Sequence, residues 1–440
     1  GLGWAARQLV LERRDLALRE SQDPGAAREA ARRLARMGSR RATERLVELL
    51  KEPGEKRPWV SDALRERGSS ALSLLGAELE DGLDEGDDEV VRFLEDLGAD
   101  ARPAVPSLVR CLEVVDDEDG SFSVAFALLE IDPQGYAQMR PLLRSPGMVA
   151  RVNALSVFGM ADAVPASYLP EIADRLEDPE PIVRVQAAWT VAELRPDADT
   201  AKAALAPRLS DSDLSARLSA ACALLRLSAA GEEVVPVLLE GLCSADFLEK
   251  QRSVEALESL GPKARAAVPA LVELLKDPST LSIDALDALL EIAPCEAASL
   301  TAPLLHHPDG KVRKQAIIAM GPLSLHDPRY VAVAARAAVE VPEHELVPWA
   351  TGALHDLGPA AAGAVPSLLE LLKDPNPTLQ DLVIDILGGI GEAAGEAVPA
   401  LRSVQADPAR DPDMRRSAAW ALGAIVGTDE DPARARIFPE

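Results

Sequence analysis

The stretch Gly261-Pro262-Lys263-Ala264-Arg265-Ala266-Ala267-Val268-Pro269-Ala270-Leu271-Val272-Glu273-Leu274-Leu275-Lys276-Asp277-Pro278 holds the signals that place one helix and both of its ends. Leu271, Leu274 and Leu275 stand at i, i+3 and i+4, the spacing of a single apolar stripe on an α-helix. Pro269 suits the first turn of that helix or a kink, the two places where a helix tolerates proline. Asp277-Pro278 ends it, because proline pushes the residue before it out of the α region. A near copy runs from Gly358-Pro359 through Val365-Pro366, Leu368-Leu369 and Leu371-Leu372 to Lys373-Asp374-Pro375.

The helix-opening proline returns at Pro106, Pro141, Pro170, Pro207, Pro236, Pro303 and Pro399, while Tyr330 to Val341 supplies one first helix without it. Between these marks lies a second helix with its own stripe, as in Val183-Arg184-Val185-Gln186-Ala187-Ala188-Trp189-Thr190-Val191-Ala192. Each unit is therefore a helix, an Asp-Pro type of turn, a second helix and a glycine type of break. The breaks fall at Gly38, Gly68, Gly98, Asp132, Gly159, Arg195, Leu227, Gly261, Ala293, Gly321, Gly358, Gly391 and Gly423, a mean step of about 32 residues. No segment alternates polar and apolar residues as a strand would, so the chain is expected to be all-α. Self-similarity at this period is the signature of a solenoid, whose units contact only their neighbours. Apolar residues make up 48% of the 440 but aromatics only 3%, so the core must be built from Ala, Leu and Val. Small side chains suit helices packed at about 8–10 Å.

The Val-Pro-x-Leu helix starts, the Asp-Pro turns and the Val-Arg-x-x-Ala-Ala second helices together resemble HEAT repeats. The style is the short bacterial one, also found in phycobilisome lyase-type repeats. The resemblance covers residues 25–440 and implies an α-solenoid, a right-handed superhelix of about thirteen antiparallel helix pairs. It also implies that the second helices line a concave face. Residues 1–24 are set apart as an N-terminal amphipathic helix or linker, or as the end of an anchor upstream of Gly1. The family is mostly protein-binding, and its motifs specify architecture rather than activity.

The formal net charge is −26, which argues against nucleic-acid binding, since phosphate neutralisation needs clustered Lys and Arg. The charge is uneven: residues 1–57 carry 14 Lys and Arg against 9 Asp and Glu, whereas residues 77–120 carry 16 acidic residues against three arginines. Cys111, Cys222, Cys243 and Cys295 show no metal-binding spacing and are expected to be small buried hydrophobes, which favours a reducing compartment. No apolar run reaches membrane-spanning length. A cytoplasmic location is expected, and the alternative is a membrane tether through a segment upstream of Gly1.

Arginines recur once per unit near the start of the second helix, at Arg151, Arg184, Arg217, Arg252, Arg313 and Arg415. Asp178, Asp211 and Asp246 stand six residues before Arg184, Arg217 and Arg252, so an inter-unit Asp–Arg ladder is expected rather than an anion-binding rail. The five histidines, His306, His307, His326, His344 and His355, lie within 50 residues but are expected to be exposed turn residues rather than metal ligands. A HEAT-fold hydroxylase acting on deoxyhypusine would show four His-Glu dyads, and this chain has one, His344-Glu345. The acidic stretches 84–89 and 116–120 lack calcium-loop register, because Gly120 would put Val115 first and Phe126 twelfth.

Trp189 and Trp420 share a register, each five residues after a ladder arginine, and with Val185 and Leu218 they form a candidate partner-binding strip. The competing reading puts both indoles in seams between units. Trp349, in another register, is expected in the core. No catalytic residue, cofactor or metal ligand is expected. The sequence thus reads as a non-catalytic scaffold whose groove holds a peptide or protein partner. The alternatives are a phycobilisome-type chromophore lyase or isomerase and a HEAT-fold nucleic-acid-binding protein.

Overall fold

A computed structural model describes residues 24–37, 39–51, 58–80, 82–84, 86–276, 280–340 and 347–427. The N-terminal helix or anchor, His344 and the Asp277-Pro278 stop lie outside the described residues. Within them, every regular element is an α- or 3-10 helix. Thirteen of these helices occupy the second-helix position, from Pro24–Met37 to Pro412–Val426.

The chain divides into two compact units, residues 1–229 and 230–440. Within the first, Met148–Met160 packs on Pro181–Glu193, which packs in turn on Leu214–Arg226. Within the second, Val347–His355, Pro377–Ile390 and Pro412–Val426 follow the same pattern. First helices pack against their own second helix, as Val235–Leu242 does against Phe247–Leu260. Nearest-neighbour stacking of helix pairs is the construction of an α-solenoid.

The local chemistry explains each element. First helices that begin Val-Pro are preceded by a 3-10 stretch, as in Gly261–Ala267 before Val268–Leu274, with Pro269 in the first turn of the α-helix. Proline thus sits where one helical form passes into the other and no backbone donor is lost. Asp213, Asp246, Asp309, Asn376 and Asp411 accept hydrogen bonds from the first-turn amides of the second helices they precede. Gly261 takes φ +56° and ψ −136°, a conformation nearly closed to residues with a Cβ. Gly68, Gly98, Gly358 and Gly391 also have positive φ, and where the glycine is missing Arg195 is driven to φ +47°. Gly159, Gly321 and Gly423 instead lie inside helices. Gly321 is pressed against Ala353, whose carbonyl oxygen would stand 2.8 Å from an added Cβ.

The buried set is dominated by Ala, Leu and Val. Buried Phe158 and Tyr136 form an aromatic cluster with the half-buried Tyr168, the two tyrosine ring centroids lying 5.7 and 5.2 Å from that of Phe158. Two expectations about burial need correction. Cys111 is buried, but Cys243 and Cys295 are exposed, because both stand just outside the apolar stripe at helix boundaries. Burial, with Asp87 and Asp117 nearby, pushes the Cys111 thiol up to about 12, which keeps it an unreactive thiol. Trp349 is not in the core. It is 47% exposed, and the Lys314 ammonium lies 3.5 Å from its ring centroid.

Candidate functional site

The geometry at the repeated arginines is that of an internal tie rather than an anion site. Arg151 donates from Nε and Nη2 to the Asp178 carboxylate at 2.9 and 2.8 Å, and from Nη1 to the Ser145 and Pro146 carbonyls. Arg184 repeats this one unit on, with Asp211 at 2.8 and 2.7 Å and the Asp178 and Pro179 carbonyls. Arg217 donates to the Asp211 carbonyl at 2.7 Å. Each aspartate therefore gives its carboxylate to the arginine of the preceding unit and its carbonyl to the arginine six residues later. Arg151, Arg184 and Asp178 are buried, so no guanidinium face is left for a ligand.

The ladder is also shorter than the spacing suggested. Asp246 caps its own helix through the Leu248 and Glu249 amides, and Arg252 lies exposed two positions past the ladder register, which Lys250 occupies. Arg313 bonds the His307 and Pro308 carbonyls. Arg415 holds the fourth position of its helix, as Arg184 does. At that position Pro377–Ile390 carries Gln380, which bonds the Leu372 and Asp374 carbonyls and accepts from Arg410. Sequence reading missed Gln380 because it sought a charge. The available signal was its place as fourth residue of a second helix.

The residues of the proposed aromatic strip lie in different surroundings. Leu218 is 1% exposed and belongs to the core, since its helix turns it inward from Arg217. Val185 and Trp189 are half-buried. Trp420 lies in a seam: its ring stacks on His355 at 5.8 Å and covers Gly388, where a Cβ would overlap three ring carbons. The histidines are likewise dispersed. His307 Nδ1 accepts from the Asp309 amide, and His306 and His326 are exposed. Among the described residues, no three His, Cys, Asp or Glu side chains come together as a metal site.

A groove of about 500 Å³ lies between the second helices Asp87–Leu97 and Glu118–Ile131. Phe122 and Phe126, one turn apart, flank it at 59% and 41% exposure, and Val91 lies at its base. Among the described residues, Asp84, Asp88, Glu95, Asp117 and Asp119 line it against one cation, Arg92, which pairs with Glu89 at 3.1 Å. Asp87 is turned inward and tied to Lys51 at 2.7 Å, so it adds nothing to the rim. In sequence the acidic stretches 84–89 and 116–120 are read only as calcium loops, whose register they lack. The two phenylalanines just after the second stretch, Phe122 and Phe126, were the missed signal, four residues apart on a helix and therefore on one face.

The family model for HEAT repeats matches residues 365–436, and that for the PBS lyase HEAT-like repeat matches residues 26–52. Matched in both of its compact units, the chain carries HEAT-like repeats. No curated protein matches the sequence. Among solved structures it is similar to the karyopherin Kap121p, at 13% identity over 88% of this chain and 53% of that one, with a TM-score of 0.48. It is also similar to a chain of the Kap95p–RanGDP structure, at 13% identity over 95% and 67%, with a TM-score of 0.49. A third likeness is to an engineered protein, at 18% identity over 95% and 99%, with a TM-score of 0.27. The chain spans about half the length of the first of these. No helix among the described residues is long and apolar enough to cross a membrane.

Proposed function

We propose that this chain is a non-catalytic protein-binding scaffold that holds a peptide or protein partner against its second helices. The observation that carries the reading is where large apolar side chains remain in water. Of the thirteen exposed ones among the described residues, nine lie on second helices: Phe122, Phe126, Met148, Ile182, Phe247, Leu248, Ile283, Trp349 and Val426. The first helices contribute Val114, Leu300 and Val333. A helix pair has no packing reason to leave so many large apolar side chains of its second helix in water, and a partner surface supplies one.

The test is selection from a displayed library of random peptides on the full chain, followed by hydrogen-exchange footprinting of a selected peptide. Protection gained on second helices, at Kd values of about 1–100 μM, is expected for a groove binder of modest interface. Selected peptides that protect only first helices would overturn the assignment of the face. A failure of any peptide to enrich would overturn the scaffold reading.

A further inference from the structure

Resting on the scaffold reading, we propose that the groove between Asp87–Leu97 and Glu118–Ile131 docks a cationic amphipathic segment of a partner protein. That segment carries apolar residues one helical turn apart, with lysines or arginines on either side. Phe122 and Phe126 set the shape of the seat, because they project from one face of a helix and stay largely in water. A pair of rings at i and i+4, with Val91 between the helices, is an apolar seat for two side chains spaced by one turn.

Charge selects the occupant. Five carboxylates surround the seat, and the one arginine among them is already paired with Glu89. Phosphate backbones and anionic lipid headgroups are repelled by such a rim, whereas a basic segment gains at each flank. The neighbouring sequence strengthens the field, since residues 77–120 carry a net charge of −13. Residues 1–23 balance four arginines against four acidic residues, and residues 428–440 carry two arginines against four acidic residues. Neither stretch has the cationic excess that the rim selects, and a basic segment of another protein does.

The experiment uses the full chain and three labelled synthetic peptides of equal length, read by fluorescence anisotropy. One is an amphipathic helix-former with Leu at i and i+4 flanked by Lys, the second replaces each Lys with Glu, and the third scrambles the first. The Lys peptide is expected to bind, the Glu peptide not, and the scrambled peptide more weakly. Phe122→Ala with Phe126→Ala should weaken the Lys peptide by about tenfold or more while leaving helicity unchanged, because both rings are exposed. Asp88→Lys with Asp119→Lys should abolish Lys-peptide binding and create Glu-peptide binding, a gain that misfolding does not produce.

If the Lys peptide binds every variant equally, the attraction is to the overall charge and the groove assignment is overturned. It is overturned equally if the scrambled peptide binds as tightly, or if the unaltered chain forms a dimer that the Phe variants lose, since the occupant is then a second copy. No binding of the Lys peptide overturns the cationic partner but leaves the scaffold reading to the library selection, so the two failures are distinguishable.

Discussion

Asp385 shows how one carboxyl group makes an apolar array sensitive to pH. It lies on Pro377–Ile390, where burial and then the nearby Asp381 carboxylate push its pKa up to about 7 from an ordinary 3.8. Asp381 is also raised, chiefly by burial, with a hydrogen bond from Ser417 opposing and Asp413 and Asp411 adding repulsion. A carboxyl whose folded pKa lies above its unfolded value stabilises most when protonated. That contribution is complete below about pH 4 and is lost as pH rises through about 7. Asp385→Asn keeps the neutral shape at every pH. Its urea midpoint should therefore fall less between pH 5 and pH 8 than that of the unaltered chain, with the variant the more stable at pH 8. Parallel curves for the two proteins would show that Asp385 is not the titrating group.

At the scale of the helix, the seam between Pro377–Ile390 and Pro412–Val426 depends on an absent side chain. Gly388 costs about 1 kcal/mol of helix propensity relative to Ala, yet its bare backbone is what lets the Trp420 indole lie flat against the neighbouring helix. Trp420→Ala should lose about 2–4 kcal/mol, near the range of large core aromatics but reduced by the ring's partial exposure. Gly388→Ala should also destabilise, by about 1–3 kcal/mol, because the methyl group displaces the ring. Combined with Trp420→Ala, the same Gly388→Ala should become neutral or stabilising, since only the propensity gain remains. Denaturant melts of the two single variants and the double variant measure this coupling, and simple additivity would refute the seam. The placement of these helices was legible in sequence because Pro269, Asp178-Pro179 and Gly261 each act on the backbone beside them. The reason for a given glycine was not. Gly261 turns the chain while Gly321 and Gly388 admit a neighbour, and that difference rests on residues about 30 positions away. The ladder itself was legible as an inter-unit tie, but the pairing within it was not, for the same reason: Asp178 and Arg184 are six residues apart, yet the Asp178 carboxylate belongs to Arg151 and only its carbonyl to Arg184.

Across the whole molecule, stability in such an array is the sum of each pair's own stability and its coupling to the next. Through residues 145–217 the ladder adds buried ion pairs to that coupling. Arg151 holds Asp178, the Asp178 carbonyl holds Arg184, Arg184 holds Asp211, and the Asp211 carbonyl holds Arg217. Asp178→Ala leaves the Arg151 guanidinium buried without its counter-ion, a loss of about 3–5 kcal/mol by comparison with other severed buried pairs. The Glu296 carboxylate also bridges two pairs, reaching Arg265 at 2.6 Å, but that arginine is 72% exposed. Glu296→Ala should therefore cost under about 1 kcal/mol. Hydrogen exchange on the intact chain locates these losses. With Asp178→Ala, faster exchange is expected in Met148–Met160 and Pro181–Glu193, fading toward Leu214–Arg226, with Pro377–Ile390 and Pro412–Val426 unchanged. Nearest-neighbour coupling demands that gradient, because Asp178 touches the rest of the array only through adjacent pairs. A uniform rise in exchange over every helix would mean that the chain opens as one cooperative body, and the additive account of this solenoid would fail with it.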